Sequence, residues 1–247
     1  MKAALAELKK RGVAVSLCSG RAIGAAQGIL DQLDIEGYHI FFDGALVTNP
    51  ATRETLYIKP LNRNYIQQAL DCARENGVIM DLISAKACYM EQDSWVADIR
   101  RQYFKVEPVI TSFSRLPENE EFIKGTLVVR SPEEKAGAER FRRHFEGVFF
   151  LSKTKTPAYP EVDFINVLTP GVSKRIAMEA LMQHLGLKPD QVMAIGDGLN
   201  DIPIIKAAGL GIAMGNAPSE VKAAAHYVTG DVEHDGAAEA IRKFILA

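Results

Sequence analysis

Residues 192–201 read Val-Met-Ala-Ile-Gly-Asp-Gly-Leu-Asn-Asp. The apolar run has the length of a strand and ends at a glycine, which predicts a buried strand of a parallel sheet. Gly196 and Gly198 allow the backbone to turn sharply and to approach a ligand closely. Asp197 and Asp201 therefore follow the carboxyl end of a strand, which is where open α/β sheets bind their ligands.

The polar side chains of this loop suit a hard cation. Asp197, Asn200 and Asp201 supply carboxylate and amide oxygens, which are the ligands that Mg²⁺ prefers. A lone aspartate after a strand is more often the cap of the next helix or part of a turn. The strand, the paired glycines and the second acid together favour a cation site over that simpler interpretation.

Composition sets broad limits on the fold and on the partners. A chain of 247 residues forms one large or two modest domains. Its formal charge of −2 provides no bulk attraction for nucleic acid or an anionic membrane. No apolar run of spanning length and no signal peptide are present. The three cysteines, Cys18, Cys72 and Cys88, are not spaced in pairs, so neither a disulfide framework nor a zinc site is indicated. A reducing cytoplasm is therefore expected.

Helices and strands alternate at both ends of the chain, which is typical of a doubly wound parallel sheet. In the first part we predict a helix over 1–10, a strand over 13–18, a helix over 22–33 and a strand over 38–42. The middle part has mixed helices and strands, with the strands expected to be antiparallel. We therefore expect an α/β core formed by residues 1–56 and 166–247, with an α+β domain inserted at 57–165.

Two further segments offer groups that bind phosphate. Ser19, Gly20 and Arg21 follow the strand predicted at 13–18 and provide a hydroxyl, backbone N–H groups and a guanidinium. Viewed alone, the serine could equally be a helix cap and the arginine a solvated side chain. Lys174 lies in the first turn of a predicted helix, where a lysine opposes the helix dipole unless an anion is nearby. A surface lysine is the simpler alternative.

Taken together, these motifs resemble those of the haloacid-dehalogenase-like phosphatases of the Cof-type group, which carry a large α/β cap inserted in the core. Residues 18–21, Cys-Ser-Gly-Arg, are similar to the second motif of that family. Gly-Val-Ser-Lys at 171–174 is similar to the third motif, and residues 196–201 to the fourth. Residues 211–217 and Asp235-Gly236 also match. The resemblance implies a Rossmann-like core with a cap domain; the cap itself is similar in length and texture only.

The resemblance also implies a reaction, the hydrolysis of small phosphomonoesters such as sugar phosphates. In that family an aspartate attacks phosphorus to form an aspartyl-phosphate, and a second aspartate two residues on is the general acid and base. The matching positions imply that Ser19 hydrogen bonds to the transferring phosphoryl group and that Lys174 neutralises its charge. Gly20 and Arg21 belong to the same phosphate-binding segment, and Asn200 lies close to the phosphate.

Mg²⁺ is the cofactor that the resemblance implies. Asp197 becomes a direct metal ligand, and Asp201 either binds the ion itself or hydrogen bonds to one of its ligands. Elementary chemistry agrees with this arrangement, because phosphoryl transfer depends on positioning and on charge stabilisation by a cation and fixed donors.

The first motif of the family, an apolar strand followed by Asp-x-Asp-Gly-Thr, is missing. The nearest segment, residues 39–46, would place Asp43 at the acid/base position and Phe41 at the nucleophile position. A phenyl ring cannot attack phosphorus, so we reject this alignment. The segment also follows Ser19, where the family has a different strand that usually ends Asn-Gly-Ala. Asp43 is therefore interpreted as a substitution in that turn.

In this fold the missing strand is central, between the strands that end at Ser19 and Asp197. Without it, backbone donors and acceptors would be unpaired in a buried sheet. We therefore expect the natural protein to begin about 25 residues earlier, since a strand, a loop and a helix start need about that many. In the present chain Asp197 and Asp201 should face Ser19 and Lys174 across a gap, and Mg²⁺ should bind weakly or not at all.

Three functions are compatible with these motifs. The first is a Mg²⁺-dependent phosphatase whose activity needs the missing segment; the second is a non-catalytic binding or regulatory protein; the third is a phosphosugar mutase on the same fold. Retention of every other motif favours the first. The expected partner is a small phosphorylated metabolite, not nucleic acid or a membrane, and the protein is expected to be a cytoplasmic monomer or homodimer.

Overall fold

The computed structural model describes residues 1–247 of the chain. Its helices are α1 (Lys2–Lys10), α2 (Ile23–Leu33), α3 (Arg63–Glu75), α4 (Trp95–Gln102), α5 (Pro132–His144), α6 (Lys174–Leu185), α7 (Ile202–Ala207), α8 (Ser219–Ala224) and α9 (Gly236–Ile241). Its strands are β1 (His39–Phe41), β2 (Leu46–Asn49), β3 (Glu54–Ile58), β4 (Ile79–Ser84), β5 (Cys88–Met90), β6 (Val109–Ile110), β7 (Phe122–Val129), β8 (Phe150–Thr156), β9 (Tyr159–Leu168), β10 (Met193–Gly196), β11 (Leu210–Ala213) and β12 (Tyr227–Val228). None of the helices combines the length and the hydropathy needed to cross a lipid bilayer.

The chain folds into two compact units, and the expected α/β fold class is confirmed. The first unit comprises Met1–Arg21, Gln27–Tyr57 and Ser173–Ala247, and the second comprises Ala22–Ala26 and Ile58–Val172. The second unit thus ends later than the boundary expected from the sequence at residue 165. The reason is strand β9, which continues in register with β8 as far as the pair Leu168–Phe150.

The stretch at 192–201 forms the predicted strand and loop. Strand β10 is parallel to β11, with Met193 opposite Leu210 and Gly196 opposite Ala213. Strand β12 extends the same sheet in parallel on the far side of β11. Parallel strands joined through helices place their carboxyl ends at one edge of a sheet. The Asp197 loop therefore emerges at a ligand-binding edge.

The predictions for the first part of the chain need correction at two points. Residues 13–18 do not form a full strand; they make one parallel bridge, between Cys18 and Ile40. Hydrogen bonds from Ile40 N to Leu17 O (2.8 Å) and from Ser19 N to Ile40 O (2.9 Å) bind the segment on one side only. Strand β1 is parallel to this segment through that bridge, as predicted, but an additional strand that the sequence did not predict, β2, pairs antiparallel with β1. The reversal occurs because the tight turn at Phe42–Gly44 sends the chain straight back.

Strand β10 likewise pairs on one side only, with β11. Val15 of the 13–18 segment and Met193 and Ile195 of β10 pack on the same apolar cluster, formed by α1, α9 and adjoining residues. The two stretches therefore lie over one core without a backbone hydrogen bond between them. Each leaves a row of backbone groups free, as at the edge of a sheet.

The second unit is built on one six-stranded sheet in the order β6-β5-β4-β7-β9-β8. The pairings are antiparallel, as predicted, except for the parallel contact of β5 with β6. Residues of α3 and α5 pack on one face of this sheet in an apolar core. Helix α5 begins with Pro132 and a capping box in which Ser131 and Glu134 satisfy each other's backbone N–H groups.

Candidate active site

Lys174 is a buried cation at the start of α6, with only 6% of its surface exposed. Ser173 caps the helix by accepting a hydrogen bond from Arg175 N. The ammonium nitrogen Nζ of Lys174 donates to Oδ1 of Asp201 at 2.6 Å. A lysine opposes the helix dipole at this position, so the carboxylate of Asp201 supplies the anion that stabilises it. The alternative of a solvated surface lysine is therefore excluded.

Both carboxylate oxygens of Asp201 accept hydrogen bonds, one from Lys174 and the other from its own loop. Its second oxygen, Oδ2, accepts hydrogen bonds from Asp197 N at 3.1 Å and from Gly198 N at 2.9 Å. One oxygen thus binds Lys174 and the other holds the turn that follows β10. Asp201 fixes the shape of the loop and orients the lysine at the same time.

The protonation states follow from burial and from neighbouring charge. Burial by itself lowers the pKa of the Lys174 ammonium, but the negative charges of Asp201 and Asp43 help to raise it above its ordinary value. Burial raises the pKa of the Cys18 thiol to about 12, although Lys174 opposes that shift. At neutral pH the site therefore contains a charged ammonium beside an un-ionised thiol. The lysine can bind an anion, whereas the cysteine is a poor nucleophile.

Ser19 lies in a turn that binds it to β1. Its hydroxyl oxygen accepts a hydrogen bond from Arg21 N at 3.1 Å, and its carbonyl accepts one from Asp43 N at 3.2 Å. Because α2 begins only at Ile23, the hydroxyl closes a turn and does not cap the helix. The hydroxyl hydrogen of Ser19 and the exposed guanidinium of Arg21 are left for a ligand.

Asp43 and Asn200, far apart in the sequence, meet in the structure. Oδ1 of Asp43 accepts a hydrogen bond from Nδ2 of Asn200 at 2.9 Å. The sequence predicted that Asp201 would face Lys174 across a gap. That prediction is wrong for this pair, because the two side chains are hydrogen bonded, and the Asp43–Asn200 contact likewise joins separate motifs. The sequence signalled only that Asp43 departs from the usual turn residue; nothing in it paired Asp43 with Asn200.

Asp197 has the one loop carboxylate that is both exposed and without a hydrogen bond or ion pair. Asp201 has no oxygen left over, and Asp43 is half-buried against Asn200. No three acidic, histidine or cysteine side chains are grouped so as to hold a metal ion. Mg²⁺ requires a near-octahedral set of oxygens. The residues of this chain therefore do not by themselves fit a magnesium site.

Comparison with known proteins shows the class to which the chain belongs. The sequence pattern of the haloacid dehalogenase-like hydrolases matches residues 1–241. YxeH of Bacillus subtilis, a phosphatase by name, is 29% identical over 260 residues, which cover 99% of this chain and 90% of that protein. A Streptococcus pyogenes protein, also named as a phosphatase, is 30% identical over 249 residues, covering 98% of this chain and 90% of its own length.

The solved structures agree. A haloacid dehalogenase-like hydrolase from Bacteroides thetaiotaomicron superposes with a TM-score of 0.87 at 24% identity, covering 99% of this chain and 91% of that one. The chain belongs to the haloacid dehalogenase-like hydrolase family. It is an enzyme of the hydrolase class.

Proposed function

We propose that this chain is a phosphatase that hydrolyses small phosphomonoesters, sugar phosphates or compounds like them. The observation that carries the proposal is the buried Lys174 ammonium, which donates to Asp201 and interacts electrostatically with Cys18, the residue before Ser19. A buried cation suits a phosphoryl group, whose charge must be neutralised in the transition state. The family membership and the phosphatase names of the relatives support the same reaction.

Several side chains of this chain would bind the phosphoryl group in the proposed reaction. Lys174 neutralises the charge that develops on the phosphoryl oxygens, and Asp201 keeps its ammonium in place. The Ser19 hydroxyl is free to donate to a phosphoryl oxygen because its own oxygen already accepts from Arg21 N. Gly20 and Arg21 add backbone and guanidinium donors, and Asn200 contributes an amide N–H near the phosphate. Phosphoryl transfer depends mainly on this kind of positioning.

The nucleophile is a separate part of the proposal. An aspartate would attack phosphorus and form an aspartyl-phosphate, but no residue of this chain occupies that position. Phe41 stands there in the one alternative alignment, and it cannot react. We propose that the aspartate belongs to a strand outside these 247 residues, inserted between β10 and the 13–18 segment. The unpaired backbone edges of both stretches support this placement.

Mg²⁺ is the cofactor we propose for the complete enzyme. Asp197 would be the direct ligand, and Asp201 would hold the Asp197 loop in place through its hydrogen bonds to Asp197 N and Gly198 N. The ion would supply a positive charge for the phosphate. Because this chain alone offers one free carboxylate, the remaining ligands would come from the same missing strand. Lys174, Ser19 and Asn200 act through their own side chains, and their roles require no ion.

One observation favours a second candidate, a non-catalytic binding or regulatory protein: the Lys174 ammonium is paired with the Asp201 carboxylate of the same chain, so the charges of both groups are already balanced. Hydrolysis of a panel of sugar phosphates, nucleotides and cofactor phosphates, measured as released inorganic phosphate, separates the two. Turnover of any member supports the phosphatase, whereas binding without turnover in a form that includes the aspartate strand supports the alternative.

The domain organisation, the partner and the cellular location of the protein are also proposals. We propose that the second unit, predicted from the sequence as residues 57–165 and extending in the structure to Val172, is a cap domain and that the first unit is the core domain. The partner would be a small phosphorylated metabolite, and the protein would act in the cytoplasm as a monomer or homodimer.

A further inference from the structure

The turn after β1 has an unusual backbone. Phe42 and Asp43 have φ angles of 52° and 57°, and Gly44 has a φ angle of 99°. Left-handed conformations are costly for residues with a side chain and persist only where the surroundings enforce them. Phe42 N donates to Arg21 O and Asp43 N donates to Ser19 O, both at 3.2 Å. The chain therefore maintains a strained turn directly against the Ser19 loop.

The strained turn positions the carboxylate of Asp43 between Gly20 and Asn200. It lies over Gly20, so closely that a Cβ atom on that glycine would sit 2.7 Å from Oδ1. The same oxygen accepts the hydrogen bond from Nδ2 of Asn200. The other end of the Asn200 amide, Oδ1, lies beside Gly198, where a Cβ atom would be only 2.6 Å away. Asp43 thus connects the Ser19 loop to the Asp197 loop through one exposed amide.

We propose that Asp43 is a positioning residue that fixes the orientation of the Asn200 carboxamide for phosphate recognition, an inference that rests on the proposed function. A carboxylate only accepts hydrogen bonds, so the nitrogen of the amide must face Asp43; a flipped amide would bring two oxygens together. An asparagine at position 43 could pair with either orientation. The bond to a carboxylate is also charge-assisted and therefore stronger than one to an amide.

This geometry leaves one N–H of the Asn200 amide for a phosphate oxygen. Because Asn200 is exposed, its amide would rotate freely without Asp43, and binding would have to restrict that rotation. Asp43 also places a negative charge near the phosphate, which by itself weakens anion binding. For Asp43 to favour binding, the gain from orientation must exceed this repulsion.

Two variants separate the orientation from the charge. Asp43→Gly removes the side chain while preserving the left-handed backbone, which glycine adopts without strain. Asp43→Asn removes the charge but retains an acceptor, and asparagine also tolerates this conformation. In ¹⁵N NMR spectra of the 247-residue chain, we expect the two Asn200 side-chain amide protons to be well separated and slow to exchange. In Asp43→Gly their shifts should collapse towards free-amide values; unchanged shifts would overturn the positioning role.

Titration with inorganic phosphate tests the consequence for binding. We expect Asp43→Gly to weaken phosphate binding by about three- to tenfold and Asp43→Asn to recover part of the loss. In an Asn200→Ala background, Asp43→Gly should cause no further loss, because only the repulsion of the Asp43 charge is then removed. Tighter phosphate binding in both Asp43 variants, or additive losses in the double variant, would overturn the proposal. If phosphate does not bind the parent chain at all, the proposed phosphate-binding roles of Lys174, Ser19 and Asn200 fail, while the NMR result still decides the positioning role.

Discussion

Lys174 and Asp201 form a buried ion pair in which Nζ and Oδ1 are 2.6 Å apart. The pair joins the start of α6 to the loop after β10, so it determines the relative position of two motifs. Removing one partner of a buried pair leaves an uncompensated charge. We therefore expect Lys174→Met to lower the free energy of unfolding by about 3–5 kcal/mol. Denaturation by urea, followed by circular dichroism, measures this value.

The matched control is Lys9→Met, because Lys9 pairs with Glu36 on the exposed surface. Exposed pairs contribute little to stability, so this variant should unfold at the urea concentration of the parent. Equal, small losses in both variants would contradict a buried structural role for Lys174.

Gly44 lies against the main chain at the start of α6. A Cβ atom there would approach the carbonyl oxygen of Ser173 to 2.4 Å, and the φ angle of 99° disfavours any side chain. We expect Gly44→Ala to lower the melting temperature by more than Gly186→Ala does. Gly186 also has a positive φ angle, 67°, but has open space around it. The comparison isolates the clash from the backbone strain; equal shifts would show that the contact with Ser173 yields readily.

His39 makes the stability of the first unit depend on pH. Its ring is buried, and Nδ1 accepts a hydrogen bond from Leu17 N at 3.2 Å, which requires that nitrogen to be unprotonated. Burial lowers the pKa of the ring, and a hydrogen bond to the Ile35 backbone opposes the shift. The unfolded chain therefore takes up the proton first, so stability is lost as the pH falls below about 6.5.

His39→Asn tests this dependence, because the amide oxygen can accept from Leu17 N without titrating. Between about pH 7 and pH 5, we expect the melting temperature of the parent to fall more steeply than that of the variant, because protonation of His39 favours the unfolded chain. His226→Asn is the control: His226 is exposed and also accepts a backbone hydrogen bond, from Gly211 N at 2.9 Å. Parallel pH profiles in the parent and His39→Asn would contradict the prediction.

Cys18 should be chemically inert in the native protein. Its pKa of about 12, raised chiefly by burial, leaves almost no thiolate at pH 8. We expect iodoacetamide to modify Cys18 at least about tenfold more slowly in native buffer than in urea, where the thiol regains its usual acidity. Mass spectrometry of the peptide that contains Cys18 gives both rates. Similar rates in the two solutions would indicate that the thiolate is accessible in the folded chain.

Local patterns predicted much of this structure, because they report local preferences. The apolar run before Gly196 became β10, and the helix predicted over 22–33 is α2 at Ile23–Leu33. The interpretation of 13–18 as a strand failed because strand formation needs partners on a sheet, and the segment hydrogen bonds only to Ile40 and its neighbours. Apolar content alone gives no information about partners.

The contacts between the candidate site residues were not predicted. The motifs named Lys174 and Asp201 separately, and their direct pairing depends on how α6 packs within the first unit, which no local pattern contains. Asp43 was recognised only as a departure from the usual turn. Its contact with Asn200 follows from three successive left-handed residues, and a sequence of Phe-Asp-Gly does not dictate that backbone.

We propose, above all, that this chain holds a phosphatase site complete except for the strand that carries the nucleophile. The decisive experiment measures p-nitrophenyl phosphate hydrolysis, with and without Mg²⁺, by the 247-residue chain and by a form extended through the coding sequence upstream of Met1. We predict no turnover by the chain alone, Mg²⁺-dependent turnover by the extended form, and loss of that turnover in extended Lys174→Met. An inactive extended form that contains Asp-x-Asp-Gly, or comparable turnover by the unextended chain, would contradict this assignment.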